Sequence, residues 1–378
     1  MNRIVVNADA LVHNYRTVHD WVSRHNASLT VVTKALCGFS AAVESLVASG
    51  VSSVADSRIS NLVALEPLCN GMEKWFLRAP ASAEQTEVVR HAHVSLNTEL
   101  STVKELNRVA EKQGVVHKVI LMIELGDLRE GILPGSLVGT YRDVFNLEHI
   151  EVLGIGSNLG CLSGTVPNSD QTMQLVLYRE LLELKFDRRI PLISAGASAT
   201  LPFLLQGRVP KQLNHFRVGE SILLGTDLMN GGTMPGLRED GFTLEAEVIE
   251  VKEKNLTPFG ETSDDLHPFQ TAVDCSSHTP GERGYRAVVT VGELDTEVSS
   301  LSPVNPEFRI AGASSDVTVL NLGSRSPSVR VGDTVRFRTG YAGLVRLMNN
   351  PYTEKTLCHD ADDCKDTPES RDGAVVNH

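Results

Sequence analysis

What most limits the fold of this chain is an alternation. Between residues 8 and 235, short apolar or β-branched runs take turns with amphipathic helical stripes. The first helix carries Leu11, Tyr15, Val18 and Val22 at helical spacing, just after Asn7 and Asp9. Residues 28 to 34 then read as a strand; Ser40 caps a helix bearing Val43, Leu46 and Val47, and Gly50 ends it. Further strands are expected near 51 to 55, 74 to 78, 93 to 96, 117 to 124, 150 to 157, 190 to 194 and 213 to 217. Helical patterns near 58 to 68, 83 to 91, 100 to 112, 169 to 186 and 198 to 206 fall between most of them. Eight strands alternating with helices suggest an α/β fold, a closed parallel (β/α)8 barrel over residues 8–235. The rival doubly wound sheet lacks support, because no glycine-rich dinucleotide fingerprint follows any strand.

After about residue 236 the pattern changes to strand-like pieces, 242 to 251, 286 to 291, 317 to 322 and 334 to 338, separated by Gly, Pro and Ser turns. A second, all-β domain is therefore expected over 236–353, joined by residues 1–7. Residues 252 to 283 read as a long polar excursion from it, and 354–378 as a disordered tail with too little apolar content to pack. Acidic residues outnumber basic ones 47 to 35, for a net charge of −12, and no Lys/Arg run offers a nucleic-acid footprint. No signal-peptide core or membrane-length stretch occurs, so a cytoplasmic location and no membrane partner are expected. Six cysteines (37, 69, 161, 275, 358 and 364) are too sparse for a disulfide scaffold, and most are expected to be small buried hydrophobes. Cys358, His359 and Cys364 do not make a four-ligand set, so no metal is expected.

Reactive groups of such a barrel sit at the C-terminal ends of its strands, and several unusual polar residues fall there. Lys34 closes the first strand, where an amine could form an imine with a carbonyl cofactor or serve as a solvated rim residue. Arg129 follows the fifth strand, with Asp127 and Glu130 as possible surface ion-pair partners. Asn158 ends the sixth strand among glycines that let backbone approach a ligand. The seventh strand runs into Ser194-Ala195-Gly196-Ala197-Ser198-Ala199-Thr200, whose helix start and Ser198 hydroxyl suit an anion. The eighth ends in His215-Phe216-Arg217-Val218-Gly219-Glu220, a cation beside a glycine. Phosphate sites built from the loops after strands seven and eight recur in this fold, so these two segments support each other. His215 reads either as an acid/base or as a barrel-core histidine.

Together, Val32-Thr33-Lys34-Ala35, Glu124-Leu125-Gly126-Asp127 with Arg129 and Gly131, Gly156-Ser157-Asn158-Leu159, Ser198-Ala199-Thr200-Leu201, Phe216-Arg217-Val218-Gly219-Glu220 and Gly312-Ala313-Ser314-Ser315-Asp316 resemble a known family. It is the alanine racemase-like group of fold-type III pyridoxal phosphate enzymes, and more closely its ornithine and lysine racemase branch. The resemblance implies a racemase of a free, basic amino acid, with pyridoxal 5'-phosphate on Lys34. Ser198 and the backbone around Gly219, next to Glu220, would hold the phosphate, Arg217 would face the pyridine nitrogen, Arg129 would lie near the phenolic oxygen, and Asn158, also at the cofactor, stands where alanine racemases carry a histidine. Alanine racemases carry a tyrosine in the partner subunit's β domain as the opposite-face base; the matching stretch here is Val291-Gly292-Glu293-Leu294-Asp295. Asp295 is therefore the first candidate for that role, followed by Cys275, Glu293 and Tyr285, and a homodimer completing its sites across the interface is implied. Related decarboxylases of this fold generally place an acid at the pyridine nitrogen, so Arg217 counts against that activity. The alternatives are a pyridoxal phosphate lyase or aldolase of the same fold, distinguished by released ammonia or aldehyde, and a non-catalytic carrier, for which the β domain would be superfluous.

Overall fold

The computed structural model describes residues 2–68, 71–261, 263, 269, 278–325 and 327–359. The chain forms two compact units: Leu11–Glu239, and the first ten residues together with the chain from Asp240 onward. Strand β1 (Arg3–Asn7) opens the chain and runs directly into helix α1 (Ala8–Arg24). The carboxamide oxygen of Asn7 accepts the N–H of Ala10 at 3.2 Å, satisfying a donor that the first helical turn leaves open.

Eight parallel strands close a barrel in chain order. They are β2 (Ser28–Val32), β3 (Ser53–Asp56), β4 (Glu73–Phe76), β5 (Val94–Asn97), β6 (His117–Met122), β7 (Ile150–Gly156), β8 (Leu192–Gly196) and β9 (His215–Val218). The last pairs back onto the first, Arg217 opposite Thr30. Each strand is followed by a helix in turn: α2 (Ser40–Ala48), α3 (Ile59–Ala64), α4 (Gln85–His91), α5 (Leu100–Gln113), α6 (Leu137–Val144), α7 (Ser169–Phe186), α8 (Leu201–Leu205) and α9 (Glu220–Leu224). The barrel interior is a packed core rather than a pore. Val32, Ala55, Trp75, Val94, Leu96, Ile120 and Met122, drawn from β2 to β6, make one buried cluster with Leu192 against it. Each large side chain buried this way contributes roughly 1.5–3 kcal/mol. Outside the barrel wall, Leu62 and Val88 of α3 and α4 pack on Phe76, whose side chain points the other way from Trp75.

At the end of β8 a neighbouring ring leaves no room for a side chain. A Cβ on Gly196 would stand 2.1 Å from the Phe216 ring, and the β8–β9 register shifts between Ser194 and Gly196. Only glycine lets the bulky Phe216 pass the neighbouring strand there.

The second unit is a sheet built from β10 (Phe242–Asn255), β11 (Arg283–Val289), β12 (Leu301–Pro303), β13 (Arg309–Ala313), β14 (Thr318–Asn321), β15 (Thr334–Thr339) and β16 (Glu354–Cys358), with helix α10 (Tyr341–Asn349) before the last strand. The order is β12-β15-β10-β11-β14-β13, antiparallel throughout, while β1 pairs antiparallel with β10 and parallel with β16.

Three expectations are corrected. The strand expected to stop at residue 251 continues to Asn255, because its backbone stays paired with β11, Val251 to Asn255 opposite Ala287 to Arg283, while its charged side chains face one another, Arg283 reaching Glu253 at 3.0 Å across the ladder. The expected tail yields five residues to β16, where Glu354 to Cys358 pair with Arg3 to Asn7. Its polar composition is compatible with a strand because backbone, not apolar side chains, makes that pairing. The rest of the tail from residue 360, and residues 262, 264–268 and 270–277 of the expected excursion, lie outside the described residues. Cysteine burial is also different: Cys37 is half-buried, Cys161 exposed, and the buried Cys358 is disulfide-bonded. Among the described residues, no helix is long and apolar enough to cross a membrane.

Candidate active site

At the C-terminal end of β2 the chain passes from Thr33, whose hydroxyl donates to Ala55 O at 3.2 Å, into a 3-10 turn over Lys34–Leu36. Ala35 and Leu36 are buried and Cys37, in the left-handed region at φ 49°, returns its N–H to Lys34 O. The backbone of Lys34 is thus pinned while its side chain is exposed. Its charge is felt by Glu220: burial raises that carboxyl above the ordinary range, and the Thr226 hydroxyl and Lys34 pull the other way.

The loops after β8 and β9 meet beside it. Ser198, buried at the start of its own 3-10 turn, accepts the N–H of Ser221 at 3.2 Å, which ties the two loops together. A Cβ on Gly219 would come within 3.0 Å of Val32 Cβ and 3.1 Å of its carbonyl oxygen, so β9 leaves the barrel flush against the end of β2. Both following helices, α8 and α9, are only five residues long. Their dipoles are correspondingly small, and the anion-holding capacity expected here rests on local N–H groups and the Ser198 hydroxyl rather than on long helices.

Two cations converge on this end of the barrel. Arg217 is buried, donating to Ser194 O at 2.6 Å, to the Ser194 hydroxyl and to Ser157 O at 3.0 Å. Burial pulls its pKa down to about 10, with the nearby Arg129 adding to the effect and Glu130 opposing it, so it remains charged at neutral pH. Arg129 is held above its ordinary range by its hydrogen bonds to Glu130. It also donates to Cys161 Sγ at 2.8 Å, and the Asn158 carboxamide, turned with its oxygen inward, accepts from both terminal nitrogens at 2.8 and 2.9 Å. Arg129 and Asn158 therefore act as a pair.

Of the two acids that the sequence offers as partners for Arg129, Glu130 takes that place and Asp127 does something else. Its carboxylate accepts the backbone N–H groups of Cys161, Leu162 and Ser163 at 3.1–3.3 Å, and its carbonyl takes the Ser163 hydroxyl at 2.7 Å. It fastens the loop that carries Cys161 to the loop that carries Arg129. A carboxylate in a glycine-rich turn was the available signal. Ser157, next to Asn158, also went unnoticed: its hydroxyl is buried and has no hydrogen-bond partner among the described residues.

His215 lies inside the barrel, stacked on Trp75 with ring centroids 4.4 Å apart and planes at 18°. Burial, reinforced by Arg217, drives its pKa down to about 3, which keeps the imidazole neutral. Asp295 belongs to the other unit, in the turn after β11. There its carboxylate accepts from Gly292 N at 3.0 Å, from Asn350 at 3.2 Å and from Asn2 at 3.5 Å. Glu293 accepts Val298 N at 3.5 Å, Tyr285 lies on β11, and Cys275 is outside the described residues.

The chain is similar to known proteins along nearly its whole length. It is 34% identical over 360 residues to the ornithine racemase of Acetoanaerobium sticklandii, covering 94% of this chain and 99% of that protein. It is 32% identical over 357 residues to the lysine racemase of Thermotoga maritima, covering 93% and 97%. Among solved structures, the alanine racemase of Bartonella henselae with covalently bound pyridoxal phosphate matches with a TM-score of 0.72 at 15% identity, over 94% of this chain and 99% of that one, a likeness of fold. The family model for the alanine racemase N-terminal domain matches residues 6–227, a span that runs from before Lys34 to beyond Glu220. With barrel, loops and sequence in agreement, the chain belongs to the alanine racemase family.

Proposed function

We propose that this protein is a pyridoxal 5'-phosphate-dependent racemase that interconverts the L and D forms of a free, basic amino acid of the ornithine or lysine kind. The observation that carries this reading is the identity of about a third to an ornithine and a lysine racemase over nearly the full chain, in a sequence that keeps Lys34, Arg129, Asn158, Ser198 and Arg217 around one barrel mouth.

The residues fit the cofactor. Ser157 keeps a buried hydroxyl without a partner among the described residues, and the buried Arg217 supplies positive charge for an anionic ligand. Lys34 would bind the cofactor covalently, Ser198 with the backbone at Gly219 and Glu220 would receive its phosphate, and Arg129 with Asn158 would lie toward its phenolic oxygen. When bound, pyridoxal phosphate supplies the electron sink that acidifies the substrate α-proton. Arg217 presents only donors and stays charged, so it would offer a hydrogen bond but no proton to the ring nitrogen. Lys34 Nζ then moves the proton on one face of the α-carbon. The opposite face needs a second base, and Asp295 of a partner copy is assigned that role, which makes a homodimer part of this reading. Cytoplasmic location belongs to the same proposal.

Chiral chromatography of a panel of L- and D-amino acids after incubation with the holoenzyme tests the activity. Racemisation of ornithine or lysine well ahead of alanine is expected, together with a yellow protein that loses colour and activity in Lys34→Ala. A colourless, inactive wild type in the presence of added cofactor would overturn the proposal. Released ammonia or aldehyde in place of the mirror-image amino acid would point to the lyase or aldolase alternative.

A further inference from the structure

Between the barrel mouth and its N-terminal end lies a chain of buried polar side chains that the proposed reaction does not use. Arg217 donates to the Ser194 hydroxyl; Ser194 Oγ is 2.7 Å from His215 Nδ1; His215 Nε2 is 2.9 Å from Thr30 Oγ1; and Thr30 Oγ1 is 2.8 Å from Ser53 Oγ. All five residues are buried. We propose that His215 is a positioning residue, which orients Ser194 and through it the guanidinium of Arg217, as the centre of a hydrogen-bond chain whose donors all point away from that cation.

The direction follows from counting donors. A guanidinium has no lone pair to offer, so the Ser194 oxygen accepts from Arg217. The hydroxyl proton of Ser194 then needs an acceptor, and the facing atom is His215 Nδ1. That nitrogen must be bare, which puts the imidazole proton on Nε2, directed at Thr30. Thr30 in turn passes its own proton to Ser53. A charged imidazole cannot join this arrangement, since it would set a second N–H against Ser194 beside a buried cation. Trp75, stacked on the ring, fixes the imidazole plane from the far side of the barrel. The Ser53 end borders a cavity of about 350 Å³ at the N-terminal end of the barrel, lined also by His19, Glu73 and Trp75, where the last hydroxyl can meet water. Aligned bonds of this kind polarise one another, so the chain spreads part of the Arg217 charge and fixes where its nitrogens sit.

This inference rests on the proposed role of Arg217 toward the cofactor, and its test separates the two. In the histidine-labelled holoenzyme, nitrogen NMR should find His215 as the neutral tautomer protonated on Nε2, unchanged between pH 5 and 9. A proton on Nδ1, or titration near neutrality, refutes the chain whatever the enzyme's activity. Substitutions give the second readout. Asparagine places its oxygen near the Nδ1 position and can still accept from Ser194, whereas glutamine reaches only toward the Nε2 position. His215→Asn should therefore keep the wild-type visible cofactor band and kcat within about threefold. His215→Gln and His215→Leu should shift that band and lower kcat about tenfold or more at unchanged KM, the range found when an outer-shell partner is lost. A space-filling role predicts the reverse order, with the larger glutamine the better substitute, and that order would overturn the inference. If the His215 variants do not fold, Ser194→Ala should show the glutamine phenotype, and wild-type behaviour in that variant refutes the proposal equally. Failure to bind any cofactor, with the Nε2 tautomer found, would remove the proposed function and leave the chain standing.

Discussion

Acidification should destabilise the barrel in a way that two buried histidines set. His117 is buried with Nε2 2.8 Å from Ser95 Oγ, and burial, with His93 nearby, lowers its pKa to about 4. His215 is lowered to about 3 by burial and Arg217. In the unfolded chain both return to about 6.5. As pH falls below that value the unfolded state takes up protons that the folded state refuses, so stability is fully present above about pH 6.5 and is lost progressively until the folded groups themselves titrate. Because both folded values lie below 5, the loss between pH 7 and 5 depends only on the unfolded value, and comes to about 2 kcal/mol for each histidine. Asp56 and Glu220, both raised by burial, work in the opposite sense. Urea unfolding followed by fluorescence, with Trp75 against His215 reporting the barrel interior, reads the effect at each pH. Relative to wild type, His117→Gln and His215→Gln should each remove about 2 kcal/mol of the drop between pH 7 and 5. An acid slope equal to that of wild type in both variants would refute the reasoning, since it would mean that these histidines take up protons equally in both states.

Other perturbations follow from the geometry. Gly196→Ala drives a methyl group into the Phe216 ring and should cost about 3 kcal/mol, seen as a clear drop in Tm, with partial recovery in the Gly196→Ala/Phe216→Leu double variant; no loss of Tm would show that the β8–β9 bulge relaxes freely. Arg217→Glu should slow racemisation about tenfold and raise the share of transamination product, because a carboxylate favours a protonated ring nitrogen. Product analysis that finds fewer side products would reverse the role given to Arg217. For Asp295→Asn, exchange of the α-proton in deuterated water should fail from one enantiomer and be partly spared from the other; equal slowing of both, or of neither, assigns Asp295 to its turn and moves the search to Cys275.

The sequence was most legible where side-chain periodicity is strong. The stripe from Leu11 to Val22 and the capped helix Ser169–Phe186 stand out because one face of each is buried over several turns. Helix α6 is harder to read, with Gly139 and Thr140 inside eight residues, and α9 is too short to show a period. Strands β12 and β16 carry few apolar residues, and their pairing is decided by backbone contacts that no local pattern encodes. The strand-end positions of Lys34, Arg129, Asn158, Ser198 and Arg217 could be read in advance, since barrel topology places them. Their partners could not. That Glu130 rather than Asp127 binds Arg129, or that His215 stacks on Trp75, depends on strand tilt and loop path, which emerge only when the barrel closes.

The parallel pair formed by the first and last described strands also orders events in time. Arg3 to Asn7 leave the ribosome before the barrel, whereas β10 and β16, between which they lie, are made after it. The barrel strands are all available to fold before either neighbour exists, so the sheet unit closes only after the barrel has been made. Until then β1 presents an unpaired edge of Ile4, Val5 and Val6, the kind of backbone template on which nascent chains aggregate. A chain cut short before residue 354 keeps every residue assigned to the barrel mouth yet leaves that edge open for good.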